Sequence, residues 1–423
     1  MKVFSKKIIS LIIFLFLILA LIIFINFQNP DKLKSYVNKY LWPYTPIKIQ
    51  VILKIFYDKN YVNQFLNDYN VKFLPNTQFI KLDLKKYNLD FLTNSTGIYN
   101  KKTTRKSFYI EIVGNNVWII DNIGSIYSLN KDDNFNDEPV IENYNRILSN
   151  LKPYQILDTL IIDDKIYFSF VSKNDDCYKF KISFSEINKN QLNFKKFFAP
   201  SECMGSIIQG GRMQKYSHMN KEGLLFTIGD SSTPDFIGGD AQKDSSIYGK
   251  IIFKEFSDQD DFTIISKGHR NPQGLFVDNN NVISTEHGPK GGDEINKIVF
   301  GKNYGWPIAS YGSSYSKKDL KYKKSHESYG FEEPIFSFVP SIGISEIIKI
   351  PENFNESWKN NFLIASLNGH SLYRVKFSND FKKVLFYEKI FIGERIRDLK
   401  YDFNSKLILI ALESKGNLGL IKN

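Results

Sequence analysis

The chemistry this chain could perform is concentrated in a few short stretches. Gly268-His269-Arg270-Asn271-Pro272-Gln273-Gly274 places a guanidinium beside an amide in a turn. A fixed guanidinium can stabilise negative charge as it develops on a carbonyl oxygen. A structural ion pair of Arg270 in an ordinary turn would leave the same letters. Thr285 to Glu294 reads TEHGPKGGDE. Glycine and proline leave carbonyls outside any sheet ladder, available to a hard cation that wants oxygen ligands at roughly 2.3 to 2.6 Å. Asp293 and Glu294 would also suit a solvated acidic pair, although the two glycines before them indicate a shaped loop. In Arg395-Ile396-Arg397-Asp398, alternate residues of a strand share a face, so both guanidiniums can reach one polycarboxylate. An exposed basic strand end is the competing interpretation.

These stretches need a scaffold that brings distant segments to one place. From about Lys106 onward the pattern is short strands separated by turn residues: Ser107 to Val113, Asn116 to Ile120 and Ser125 to Leu129, then Ile156 to Ile162, Lys165 to Val171, Cys177 to Ser183 and Phe194 to Phe198. Similar sets follow, ending with Arg397 to Tyr401, Leu407 to Leu412 and Gly419 to Lys422. Repeated four-strand units point to an all-β propeller, and ~320 residues at roughly 50 per blade predict six blades around a central channel. A sandwich rarely needs so many strands, and a solenoid would show a tighter repeat.

The stretch from Gly268 to Pro307 resembles the glucose/sorbosone dehydrogenase family of quinone-dependent sugar dehydrogenases. The similarity runs from about Gly210 to Pro307, resumes at Ser337 to Phe377 and returns at Glu394 to Asp398. It implies a six-bladed propeller that oxidises sugar or alcohol hydroxyls with pyrroloquinoline quinone and calcium. By the same resemblance Arg270 is the electrostatic catalyst, and Arg270, Asn271, Tyr315, Arg395 and Arg397 contact the quinone. The carbonyls of Gly288 and Pro289 hold the calcium that bridges to it, while the Glu294 carboxylate and the Tyr304 carbonyl bind a structural calcium.

One departure bears directly on catalysis. The family's H-x-G-G-R-L stretch carries the general base on its histidine, and here the match is Ile208-Gln209-Gly210-Gly211-Arg212-Met213. Gln209 can hydrogen-bond a sugar hydroxyl, but isoleucine cannot accept a proton, and losing a positioned base costs roughly 10² to 10⁴ in rate. The other histidines are poor replacements. His218 is expected on the order of 30 Å away along a continuing strand. His269 and His287 match histidines that relatives carry in addition to the base, and His326 and His370 lack motif context and read as satisfied surface histidines. Two functions therefore remain open: a sugar dehydrogenase with another base, or a non-catalytic, calcium-stabilised propeller that binds a glycan, a small ligand or a protein.

Composition frames both. An apolar fraction of 42% and an aromatic fraction of 15% describe a folded chain. The net charge of +11 accompanies a general excess of Lys, Asn, Ile, Phe and Tyr, and the basic runs lack the aromatic interleaving of a nucleic-acid binder, so no nucleic-acid partner is expected. Lys2, Lys6 and Lys7 precede an apolar run from Ile8 to Phe27, about 20 residues and long enough to span a bilayer. With no small-residue cleavage site after it, it reads as an uncleaved anchor in the inner membrane, with the body in the periplasm. The expected layout is a cytoplasmic basic flank (1–7), a transmembrane signal anchor (8–27), a mixed juxtamembrane connector (28–105) with extended chain packed on the body over 70–92, and the propeller (106–423). Cys177 and Cys203 are expected in one blade and are compatible with a disulfide or with free thiols.

Overall fold

In the strand Cys177–Glu186 inward and outward residues alternate, and its inward set packs on a neighbouring sheet. That period-2 pattern recurs along the chain and builds the architecture. The computed structural model describes residues 81–423 apart from 95–104, 137, 176, 189, 205–208, 231–238, 258, 279–280 and 315–321. It contains six sheets of four or five strands, antiparallel except that the short strands Gln191–Leu192 and Lys302–Asn303 add in parallel to the two five-stranded ones. In chain order the inner strands are Phe108–Val113, Gln155–Ile162, Gly210–His218, Pro272–Asp278, Ile344–Lys349 and Ile396–Asp402, and each touches the next around a closed ring. The fold is the expected six-bladed propeller.

Six apolar clusters fill the interfaces between neighbouring blades, so each sheet packs against a blade on either side of it. Between blades 2 and 3, for example, Phe180 stacks on Phe226 with ring centroids 5.9 Å apart. The ring closes through the strand Asp83–Asn88, which pairs antiparallel with Asn417–Lys422 as the outermost strand of blade 6. This strand falls in the stretch expected to be extended chain packed on the body, and the structure makes it a full member of a blade. Among the described residues no helix is long and apolar enough to cross a membrane. The expected anchor, 8–27, lies outside them. Cys177 and Cys203 are joined by a disulfide within blade 2, beside the bridge between Tyr178 and Met204.

Five inner strands carry a register shift near their start, at Ile156/Asp158, Gly210/Met213, Pro272/Gly274, Ile344/Ile347 and Ile396/Asp398. A bulge re-aims the side chains around it. Here the bulges turn Asp158, Arg212, Glu346 and Asp398 toward one another on the axis. Arg212 Nη1 lies 2.8 Å from Asp158 Oδ1, 2.9 Å from Asp398 Oδ1 and 2.5 Å from Glu346 Oε2. Its Nε donates to the Gln273 carbonyl at 2.7 Å and its Nη2 to the Arg397 carbonyl at 2.9 Å. Asp398 Oδ2 accepts the Ile110 N–H at 2.9 Å, so this cluster ties all six inner strands together. Lys400 and Glu111, 3.0 Å apart, extend it. Gly211, at φ +102°, lets the third inner strand approach closely: a Cβ there would lie 2.4 Å from Leu157 Cβ.

Candidate active site at the channel mouth

The inner strands of blades 3, 4 and 6 begin at one end of the channel, and the chain segments just before them deliver Gln209, Arg270, Asn271 and Arg395 there. The Arg270 backbone N–H donates to Glu286 Oε1, its Nη1 donates to the His287 carbonyl at 3.0 Å, and its guanidinium lies 5.2 Å from the centroid of the Trp306 ring. Asn271 Oδ1 accepts from Gly210 N at 3.2 Å and from Gln273 Nε2 at 2.8 Å. Gln273 Oε1 in turn accepts from Arg397 Nη1 at 3.0 Å, linking the Asn271 turn to the blade 6 arginines. Gln209 joins the same end through its carbonyl, which accepts the Gly229 N–H at 2.8 Å. Ile208 and Tyr315 lie outside the described residues.

Arg395 and Arg397 converge as the alternation of a strand predicts, and both meet Glu413. Arg395 Nε lies 2.7 Å from Glu413 Oε1 and Arg397 Nε 2.9 Å from Glu413 Oε2. Burial opposes ionisation of Glu413, yet Arg397 and Arg395 hold its carboxyl at about 2. Each guanidinium carries five donors, so one carboxylate does not exhaust the pair. His287 sits amid these charges. Burial pushes it down to about 4, with Asp293 opposing and Arg270, Arg397 and Arg395 reinforcing the shift, so its ring is neutral at pH 7.

A small cavity is lined by Gly268, Arg270, His287, Gly288, Glu294, Tyr304 and their neighbours. Among the described residues no hydrogen bond ends on the carbonyls of Gly288, Pro289 or Tyr304. Glu294 is 8% exposed, and burial together with Glu286 pushes its carboxyl well above the usual range. A buried carboxyl group and nearby uncommitted carbonyls are oxygen donors of the kind a hard cation such as calcium takes. The acidic pair is not solvated: Asp293 is fully buried and accepts from Ile342 N and Ile344 N, both at 3.0 Å, tying blade 4 to blade 5.

Several groups escaped sequence reasoning. Ser266 Oγ, His269 and Glu286 form a chain of 2.8 Å and 3.0 Å contacts with the connectivity of a catalytic triad. All three are buried, which removes Ser266 from any substrate. The chain instead seats Glu286, whose second oxygen holds the backbone of Arg270 and Asn271. His326, read from the sequence as a surface histidine, is 1% exposed. Its SHES context carried no periodic or spacing signal that could have shown this.

The model of the glucose/sorbosone dehydrogenase family matches residues 159–420. Aldose sugar dehydrogenase YliI of Escherichia coli is 34% identical over 159 residues, covering 37% of this chain and 42% of that protein. Quinoprotein glucose dehydrogenase B of Acinetobacter calcoaceticus is 35% identical over 115 residues, covering 27% of this chain and 22% of that protein. The matched stretches thus span about half or less of these curated relatives. In three dimensions the chain is similar to the soluble aldose sugar dehydrogenase of Escherichia coli in its apo form, with a TM-score of 0.64 at 20% identity, covering 81% of this chain and 99% of that one. It is also similar to the aldose sugar dehydrogenase of Streptomyces coelicolor in its PQQ-bound form, with a TM-score of 0.54 at 17% identity, covering 81% and 98%.

Proposed function

Because the chain belongs to the glucose/sorbosone dehydrogenase family, we propose that it oxidises a hydroxyl of an aldose or related alcohol at the channel mouth, with pyrroloquinoline quinone and calcium. The observation that carries this reading is the gathering of Arg270, Asn271, His287, Gly288, Arg395 and Arg397 at one end of the propeller. When bound, the quinone supplies a two-electron acceptor. Arg270 offers a guanidinium fixed by the His287 carbonyl and the Trp306 face to an oxygen on which negative charge develops. Arg395 and Arg397 offer the donors that Glu413 leaves over to the cofactor's carboxylates. The Gly288 and Pro289 carbonyls would hold the calcium at the cofactor, and Glu294 with the Tyr304 carbonyl would hold a structural cation. The buried Arg212 cluster closes the channel behind them, so substrate enters and leaves by the mouth.

The same proposal keeps residues 8–27 as a single-pass anchor with the propeller in the periplasm. The lysines before the apolar run support it, as does a disulfide, which persists in oxidising compartments.

Ile208 at the base position favours a second reading, a non-catalytic propeller that binds its ligand without turnover. One experiment separates them: quinone binding and sugar-dependent dye reduction by the full chain, with calcium and pyrroloquinoline quinone added. Turnover supports the dehydrogenase and requires a base other than residue 208. Tight quinone binding without turnover refutes it in this form and predicts activity in Ile208→His. No quinone binding leaves only the binding propeller.

A further inference from the structure

His326 opens the single-turn helix His326–Tyr329, and its ring packs edge-on against Tyr311 with centroids 5.3 Å apart. Its Nε2 lies 3.8 Å from Glu294 Oε1, beyond hydrogen-bond reach. Neither ring nitrogen meets hydrogen-bond geometry with any described group, the Ala309 carbonyl lying beside the ring. Glu294 Oε2 has a neighbour in Asn296 Nδ2 at 3.3 Å, which leaves Oε1 facing the imidazole. A buried imidazole and a buried carboxyl group thus lie side by side, 3.8 Å between Nε2 and Oε1, without a hydrogen bond between them.

That separation suits two ligands of one ion. Metal–ligand bonds of about 2.0 to 2.3 Å, at angles between octahedral and tetrahedral, hold neighbouring donor atoms roughly 3 to 4 Å apart. Glu294 and Tyr304 line one cavity, and no hydrogen bond from the described residues ends on the Tyr304 carbonyl.

We propose that His326 is a ligand of the Glu294–Tyr304 cation position, which makes it a mixed oxygen–nitrogen site that takes a first-row divalent ion such as Co²⁺ or Mn²⁺ in preference to calcium. The inference rests on the proposed function only in treating Glu294 and the Tyr304 carbonyl as a cation position. Calcium is a hard ion that takes oxygen donors, whereas imidazole is a good ligand for first-row transition ions. One nitrogen in the donor set therefore shifts the preference without altering the rest of the site.

The test uses the full chain stripped with a chelator and titrated calorimetrically with Ca²⁺, Mn²⁺ and Co²⁺, the cobalt titration being followed also by visible absorption. The wild type is expected to bind Co²⁺ and Mn²⁺ more tightly than Ca²⁺. His326→Ala and His326→Asn are expected to weaken Co²⁺ by about 10 to 100-fold, change its absorption bands and leave Ca²⁺ within about threefold. Thermal unfolding confirms that each variant is folded. Unchanged cobalt affinity and spectrum in both His326 variants, or an equal loss for Ca²⁺ and Co²⁺, would overturn the proposal. Glu294→Gln separates this failure from failure of the site itself: if it too leaves every metal unaffected, the cation position of the proposed function is wrong.

Discussion

The axial cluster makes a quantitative prediction about Glu346. Two cations, Arg212 and Lys400, face four buried carboxylates, Glu111, Asp158, Glu346 and Asp398. The excess of negative charge is relieved by protons. Burial, opposed by Arg212 and reinforced by Asp158 and Asp398, pushes Glu346 up to about 8 from 4.5. Burial, opposed by Lys400, pushes Glu111 up to about 7 from 4.5. A carboxyl whose folded pKa is raised binds its proton more tightly folded than unfolded. Its contribution to stability is therefore complete below pH 4.5 and is lost as pH rises through about 8. At about 1.4 kcal/mol per pH unit, the loss from Glu346 alone is on the order of 5 kcal/mol. Glu346→Gln keeps the shape and removes the ionisation. It is expected to match the wild type within about 1 kcal/mol at pH 5 and to exceed it by several kcal/mol at pH 9. Urea unfolding of both chains between pH 5 and 9, followed by tryptophan fluorescence, measures this. Parallel stability curves, or a variant that is weaker at pH 9, would refute the protonated carboxyl and with it the charge count on the axis.

Three further outcomes are expected. Arg270→Met should fold normally, since its backbone contacts to Glu286 and Asp230 survive, but lose about 10² to 10³ in any sugar-dependent dye reduction. Replacing Cys177 with Ser opens a loop with a sequence separation of 26 and should lower stability by about 3 kcal/mol, with reduction of the wild type giving the same shift in a denaturant titration. Gly211→Ala combines a positive φ with a Cβ 2.4 Å from Leu157 and should cost about 2 to 4 kcal/mol, read as a lower unfolding temperature, whereas Gly114→Ala, at φ +59° with open space around it, should cost less.

Sequence alone determined the propeller and most of its strands, because period-2 alternation broken by Gly, Asn and Asp is a local signal that survives without tertiary information. Asn116 to Ile120 and Leu407 to Leu412 were legible in this way, and the observed strands are Asn116–Asp121 and Leu407–Leu412. The turn around Arg270 and the loop at Gly288 were legible too, since positions that need glycine or proline leave a mark in the letters. Only the tertiary structure decided what closes the ring, because the pairing of Asp83–Asn88 with Asn417–Lys422 joins segments at opposite ends of the body. It likewise decided the partners of the charges. Arg212, Asp158, Glu346 and Asp398 come from four separate blades and meet only because bulges turn them onto one axis. Glu413, which engages both Arg395 and Arg397, and His326, which faces Glu294, sit in unremarkable sequence. A residue's type states which bonds it can make, but its burial and neighbours, set by chain segments far away in sequence, decide which of them it does make.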